Sequence, residues 1–263
     1  MGLNELLSLH AFHYSKTKED DYLVATYITR QKIINCLHIS RMQPYLDAVA
    51  GNQDKALKLY QWNLDLTAAT QSIIGITEVV LRNAMDRELQ TWNVANGGSA
   101  SWLLAEPETP LRALIAGKRN SALSRASKES IARVPSHRRF GAPVTHDDVL
   151  AQVMFGMWKD LLPNHAPNAG NSQENNNRER MWKDCLIHAF PNVQDADGSM
   201  TYWRVNHIHG LRNRVSHMEP LFQIDVLDVI RDSLRIIRSI DSDVANWVSG
   251  GNKVPTVLKN RPV

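Results

Sequence analysis

Apolar positions recur three and four residues apart along most of this chain, which is the repeat of an α-helix rather than a strand. The stretch from about Ser40 to Trp92 reads as two or three helices, the first broken at Gly51-Asn52. Leu57, Tyr60, Leu64 and Thr67-Ala68 then mark one stripe, which Ile73, Ile76, Val80 and Ala84 continue. NVANGGSASW, with two glycines and several small polar residues, reads as a loop. Residues 111–139 begin as a helix and open into a loop at VPSHRRFGAPVTHDD, and Thr145-x-x-Asp148 has the form of a helix start with Thr145 as its cap. DVLAQVMFGMWKDLL follows as one strongly apolar helix that Pro163 ends. NHAPNAGNSQENNNRER, rich in Asn, reads as a mobile surface loop, and MWKDCLIHAF as a short helix leading to Pro191. QDADG is a turn, and residues 200–247 hold two helices separated near Pro220. No Val/Ile/Thr-rich runs of period two lie between hairpin turns, so the expected fold class is all-α. The expected organisation is an N-terminal extension over 1–36, polar at its centre (SKTKEDD), a helical domain over 37–248, and a loose C-terminal tail over 249–263.

Composition adds bounds rather than a function. The 263 residues allow one large domain or two small ones, and 43% apolar with 22% charged residues is ordinary for a soluble globular protein. No apolar run approaches the roughly 18 residues that span a bilayer, and MGLNELLSLHAFHYSKTKEDDY lacks a basic segment followed by an apolar block. A cytoplasmic location and no membrane partner are expected. Cys36 and Cys185 stand in unlike contexts, so a buried structural role suits them better than a disulfide or a reactive thiol.

Charge changes the picture more. The net +3 is unevenly spread: between Arg112 and Arg139 eight cationic side chains face a single acid, Glu129. This block is either a solvated helix and loop or a phosphate-binding surface. On the second reading Arg119, Arg125, Arg138 and Arg139 are the chief contacts, with Arg214 from further along the chain.

The densest chemistry lies in 210-GLRNRVSHMEPLF-222. On an ideal helix Leu211, Val215, Met218 and Phe222 form an inward stripe, and His209, Asn213 and His217 a polar stripe beside it, which Asn206 extends backward and Arg212 and Ser216 flank. Arg212 and His217 stand about 140° apart, so convergence on one ligand needs a long Arg stem, a helix disturbance near Pro220, or a second copy of the chain. An imidazole near neutrality exchanges protons, and a permanently charged guanidinium steadies charge on a phosphoryl oxygen. Together they suffice for metal-free RNA cleavage by the ribose 2′-OH. The alternative is structural, with Arg212 paired to Glu219 or Asp225 and His217 a satisfied interface residue. Glu78, Arg82 and Asn83 form a second polar cluster on an apolar helix: either Glu78 pairs with Arg82 at i, i+4, or Glu78 fixes an Arg or His of the motif. Phe155-Gly156-x-Trp158 reads as packing, with Gly156 permitting close helix approach, and Trp62, Trp102, Trp182 and Trp203 as core or interface. His207 and His209 point about 200° apart on a helix, so His207, His209 and His217 do not make a metal site, and none is expected. Gly97-Gly98 lacks the Lys-Ser/Thr of a phosphate loop, and no cofactor is expected.

Arg212-Asn213-x-x-x-His217 resembles the Arg-to-His signature of the HEPN superfamily. Four further segments, in order, resemble its Abi-like (abortive infection) branch: Ile39-Ser40 with Tyr45-Leu46, Leu59-Tyr60-x-Trp62-Asn63, residues 78–84 (EVVLRNA), and Phe155-Gly156-x-Trp158. The resemblance covers roughly residues 39–222. Met218 departs from it, standing where many relatives have a second His. It implies a HEPN-type helical bundle that forms a homodimer. It also implies a metal-independent endoribonuclease with Arg212 and His217 as the catalytic pair and Asn213 beside them; from their places in the polar clusters, Glu78, Arg82, Asn83, His209 and Ser216 are expected in support. RNA is then the substrate, phage defence or a toxin the setting, and an antitoxin or phage-derived regulator a partner. A non-catalytic module that binds RNA or a protein is the first rival, and a metal-dependent phosphoesterase the second.

Overall fold

The computed structural model describes residues 27–167, 169 and 172–262. The fold is all-α: eleven α-helices and one 3₁₀ turn occur among the described residues, with no strand. Two compact units separate, one comprising the described chain up to Gln61 with Pro262, the other Trp62–Arg261. The first part of the expected N-terminal extension lies outside the described residues.

The first unit holds α1 (Tyr27–Leu37), α2 (Ile39–Ala48) and the start of α3 (Gln53–Ala95). Ile34, Met42 and Tyr45 are buried, Tyr45 meets Tyr60 edge to face at 5.1 Å, and Arg30 reaches Asp54 at 3.5 Å. Helix therefore begins before the expected domain boundary at 37. Cys36 is exposed rather than buried, whereas in the second unit burial pushes the Cys185 thiol up to about 12.

After the break at Gly51-Asn52, α3 is a single helix of 43 residues, so the segment from Ser40 to Trp92 holds two helices, the lower of the two numbers its pattern allows. Its buried face coincides with the predicted stripe at Thr67, Ile73 and Ala84 and departs from it elsewhere. In the second unit Leu66, Ile73, Leu81 and Leu89 are buried with Asn63, Thr67, Thr70 and Thr77, while Leu64 is exposed. The polar residues on the inner face hide the true stripe from a hydropathy reading. Two of them are answered by hydrogen bonds, Thr77 Oγ1 donating to the Ile73 carbonyl at 2.8 Å and Asn63 serving a turn discussed below, whereas the buried Thr67 and Thr70 hydroxyls have no hydrogen-bond partner among the described residues. By length and composition alone α3 could cross a membrane, contrary to the expected absence of such a run. Its buried Asn63, Thr67, Thr70, Thr77 and Asp86 are those of a helix packed within protein.

The remaining elements are α4 (Leu111–Ile131), α5 (His146–Ala151), α6 (Phe155–Asp160), α7 (Gln173–Asp184), a 3₁₀ turn (Leu186–Ala189), α8 (Ser199–Ser216), α9 (Val226–Ile240), α10 (Ser242–Gly250) and α11 (Val254–Lys259). α4 packs on α5, α6 and α7, α8 packs on α6 and α9, and α9 packs on α10. The capping box at Thr145 forms as the sequence predicts: Asp148 N donates to Thr145 Oγ1, and Thr145 N donates to Asp148 Oδ2. The apolar run that follows is two helices, not one. The chain opens at residues 152–154, and Arg125 of α4 takes the freed Gln152 carbonyl at 2.7 Å. α7 claims part of the Asn-rich segment expected to be loop, because Ser172 caps it and the buried Asn175 side chain accepts from Asn164 N at 2.7 Å. After α9, Asp241 caps a further helix, α10, through Asp243 N and Val244 N. The expected loose tail is instead anchored: Val254 is wholly buried, and Trp62 Nε1 donates to the Val257 carbonyl at 2.7 Å.

Buried polar clamps tie α3 to its surroundings. Asp86 accepts from Trp102 Nε1 at 2.9 Å and meets His146 Nε2 at 2.9 Å, and Asn93 accepts from Glu108 N while donating to the Ser99 carbonyl. Trp62, Trp102 and Trp182 are core residues, but Trp203 is exposed.

Candidate functional site

The polar stretch 210–222 spans the end of α8 and the turn beyond it. The helix closes at Ser216 with His217 as its C-cap. Met218 then takes φ +53°, Glu219 N donates to the Arg214 carbonyl at 2.9 Å, and Met218 N donates to the Val215 carbonyl at 3.1 Å. These two bonds define a Schellman closure, with Pro220 just beyond it. α3 holds the turn from below. Asn63, wholly buried, accepts from Leu221 N at 2.7 Å and donates to the Glu219 carbonyl at 3.3 Å. Sequence reasoning quoted Asn63 within a motif but gave it no role; its role is to fix the backbone just past His217. Because the helix ends here, the predicted inward stripe stops early: Leu211 and Val215 are buried, but Met218 is 48% exposed. A left-handed Met costs about 1–2 kcal/mol relative to a residue at ease there. Met218→Gly should therefore raise stability by about 1 kcal/mol, read from urea unfolding, and a loss of stability would mean that Met218's own contacts outweigh the strain.

One turn and more before this closure, His209, Arg212 and Asn213 fall at i, i+3 and i+4, on one side of α8. All three line a cavity of about 360 Å³. α4 contributes Lys118 and Arg125 to it, α6 contributes Phe155 and Asp160, and Met154 forms part of its apolar wall. The imidazole of His209 stacks on Phe155, with centroids 5.7 Å apart and planes inclined by 10°. Burial, aided by Lys159 and Arg212 and opposed by Asp160, holds His209 below its ordinary value. Arg212 Nε lies 3.9 Å from Glu78 Oε2 of α3. Burial raises the Glu78 carboxyl against the pull of Arg212 and Arg82. Neither Glu219 nor Asp225 takes Arg212; Glu219 pairs with Arg214 at 3.3 Å. Lys118 donates to Asp160 at 2.6 Å, and Lys159 reaches the same carboxylate at 3.0 Å. Burial would raise that carboxyl, but hydrogen bonds from both lysines hold it below its usual range.

Not every predicted site residue joins this cavity. His217 and Ser216 are exposed at the end of α8, and His217 is not among the residues lining it. Arg82 and Asn83 line a different cavity, of about 380 Å³, with Asp86 and Asp147. The basic block is largely committed within the protein. Arg119 is only 8% exposed and donates to the Leu104 carbonyl and to Asn120, so it does not present a surface contact as expected. Arg133 and Arg139 both bind Asp148, and Arg139 also donates to the Pro143 carbonyl. Arg125 keeps a cavity face, and Arg138 and Arg214 are exposed. Spacing could indicate His209, Arg212 and Asn213, but Lys118, Asp160 and Met154 reach the cavity only through tertiary packing.

On the opposite side of α8, His207 meets Asp232 of α9 at 3.0 Å. With Asp228 these residues bring three potential ligand atoms within 4.8 Å of one another, the group among the described residues best able to hold a metal. Asp228 and Asp232 already accept from Arg231 and Arg235, each at 3.1 Å. Reasoning along α8 alone missed this group because two of its members belong to α9. Their i, i+4 spacing is the available signal.

No protein-family model matches the chain, no curated protein matches it, and no solved structure matches it.

Proposed function

We propose that the protein is a metal-independent endoribonuclease of the HEPN type, acting in the cytoplasm in phage defence or as a toxin. The observation that carries this reading is the seating of Arg212 and Asn213 in a cavity rich in cations, with His217 five residues on at the capped end of the same helix. Arg212 steadies the charge on a phosphorane, and His217 supplies acid–base exchange. Asn213 orients the ligand, and Glu78 holds the Arg212 stem. A homodimer would bring two copies of the motif to one cleft. The exposure of His217 suits a position completed by a second subunit. An antitoxin or phage-derived regulator would cover the same surface.

Expression of the protein alone should arrest bacterial growth, and the His217→Ala variant at equal abundance should not. Equal arrest by both removes His217 from the activity. A second reading, a non-catalytic module that binds RNA or a partner protein, is favoured by one observation: His217 does not line the cavity that holds Arg212. That reading expects RNA binding without turnover and equal binding by His217→Ala.

A further inference from the structure

Resting on the nuclease reading, we infer that the cavity between α4, α6 and α8 seats one nucleotide of the RNA and that His209 is the base that takes the 2′-OH proton. The cavity is of mononucleotide size, about 360 Å³, and its composition is divided. Met154 and Phe155 give an apolar wall on which a nucleobase can lie, and Arg125 and Arg212 present guanidinium groups from two helices. Arg125 has committed one N–H to the Gln152 carbonyl, which fixes the fork while leaving other donors for a phosphate.

Within that enclosure the imidazole is held for work at one edge. Phe155 sets the plane of the His209 ring by stacking, and Nε2 points at Gly156. A Cβ built on Gly156 would lie 3.6 Å from Nε2, an ordinary contact distance. Gly156 is therefore not demanded by helix packing, as its place in the motif suggests. Its lack of a side chain leaves the space beside Nε2 open.

The charged groups facing His209 are Lys159 and Asp160 of α6, Arg212 of α8, and Lys118 and Arg125 of α4. Burial, with Lys159 and Arg212 against Asp160, disfavours the charged ring and so favours the neutral form that accepts a proton. The reaction then divides between two imidazoles. His209 takes the proton of the 2′-OH. The 2′-oxygen forms a bond to phosphorus while the bond from phosphorus to the 5′-oxygen breaks, and His217 in its acid form, brought to the cleft by a second subunit of the dimer, gives the departing oxygen a proton. The products are a 2′,3′-cyclic phosphate and a 5′-hydroxyl.

The test uses the full-length protein in EDTA with a 5′-labelled mixed-sequence 20-mer RNA, cleavage rates being taken from pH 5 to 8.5, and with the all-2′-deoxy 20-mer for binding by anisotropy. His209→Asn should lower kcat by about 100-fold or more, leave KM and binding within about threefold, and abolish the acid limb expected of wild type, where the rate rises with pH as His209 loses its proton below the ordinary imidazole value. Should His209→Asn fail to fold, Gly156→Ala decides, because it leaves His209 in place and its methyl fits. A fall of about tenfold or more with the melting temperature unchanged supports the assignment, and an unchanged rate overturns it. A His209→Asn enzyme that keeps the wild-type rate and acid limb overturns the role of His209 while leaving the nuclease reading standing. A wild-type protein that cleaves no RNA overturns both.

Discussion

Arg212→Lys should lower RNA cleavage in EDTA by about 100-fold or more while leaving the fold intact, although it conserves the charge. The guanidinium is a planar fork able to grip two non-bridging oxygens at once, and the ammonium is a single point. Glu78 fixes that fork from α3, its carboxylate 3.9 Å from Nε. A lysine would reach Glu78 or the phosphate, but not both in the required geometry. Arg212 is also half-buried beside a carboxylate that burial already raises, so its positive charge helps to keep Glu78 ionised. Steady-state kinetics on a labelled RNA checks this, with circular-dichroism melting as the fold control. A loss smaller than about fivefold in a folded variant would remove Arg212 from the transition state.

Asp148→Asn should be the most damaging conservative change away from the cavity, costing about 3 kcal/mol and lowering the melting temperature by roughly 6–12 °C. One carboxylate here does three jobs. It closes the capping box of α5 through Thr145, and it accepts from Arg133 and from Arg139. An amide of the same size keeps the shape and loses the charge that both guanidiniums face. Burial alone would raise the Asp148 carboxyl, but hydrogen bonds from Arg139 and Thr145 outweigh it and hold the group far below the carboxylate range. A depressed carboxyl contributes its stability above its unfolded value, near 4, and loses it as pH falls toward the folded value. The gap between wild type and Asp148→Asn should therefore be full at pH 6–7 and narrow steadily below about pH 4. A gap that stays constant down to pH 2 would show that the ion pairs contribute little.

The contrast between these two positions shows what a sequence exposes. Local rules were readable. Thr145-x-x-Asp148 announced a helix start, and His209, Asn213 and His217 with Arg212 beside them announced one polar side of a helix, of which all but His217 reach the cavity. The features that escaped depend on partners distant in the chain. The break at residues 152–154 carries no Pro or Gly, and the freed Gln152 carbonyl is satisfied by Arg125 of another helix. The face of α3 was misjudged in part because Asn63, Thr70 and Thr77 lie inward, Asn63 and Thr77 answered by bonds that hydropathy cannot register. The tail became a helix because Trp62 holds the Val257 carbonyl. Arg119 looked like a surface cation until the Leu104 carbonyl was found beneath it. In each case a polar group's partner decides its place, and that partner is set by tertiary structure.

The central claim is that a guanidinium at 212 and an imidazole at 217 act on the same phosphodiester without a metal. The most direct measurement is mass spectrometry of the RNA ends left after incubation of purified protein with RNA in EDTA, wild type beside His217→Ala. Wild type should leave 2′,3′-cyclic phosphate and 5′-hydroxyl ends, and the variant should leave intact RNA. Ends bearing a 5′-phosphate, cleavage that EDTA stops, or unchanged cleavage by His217→Ala would contradict it.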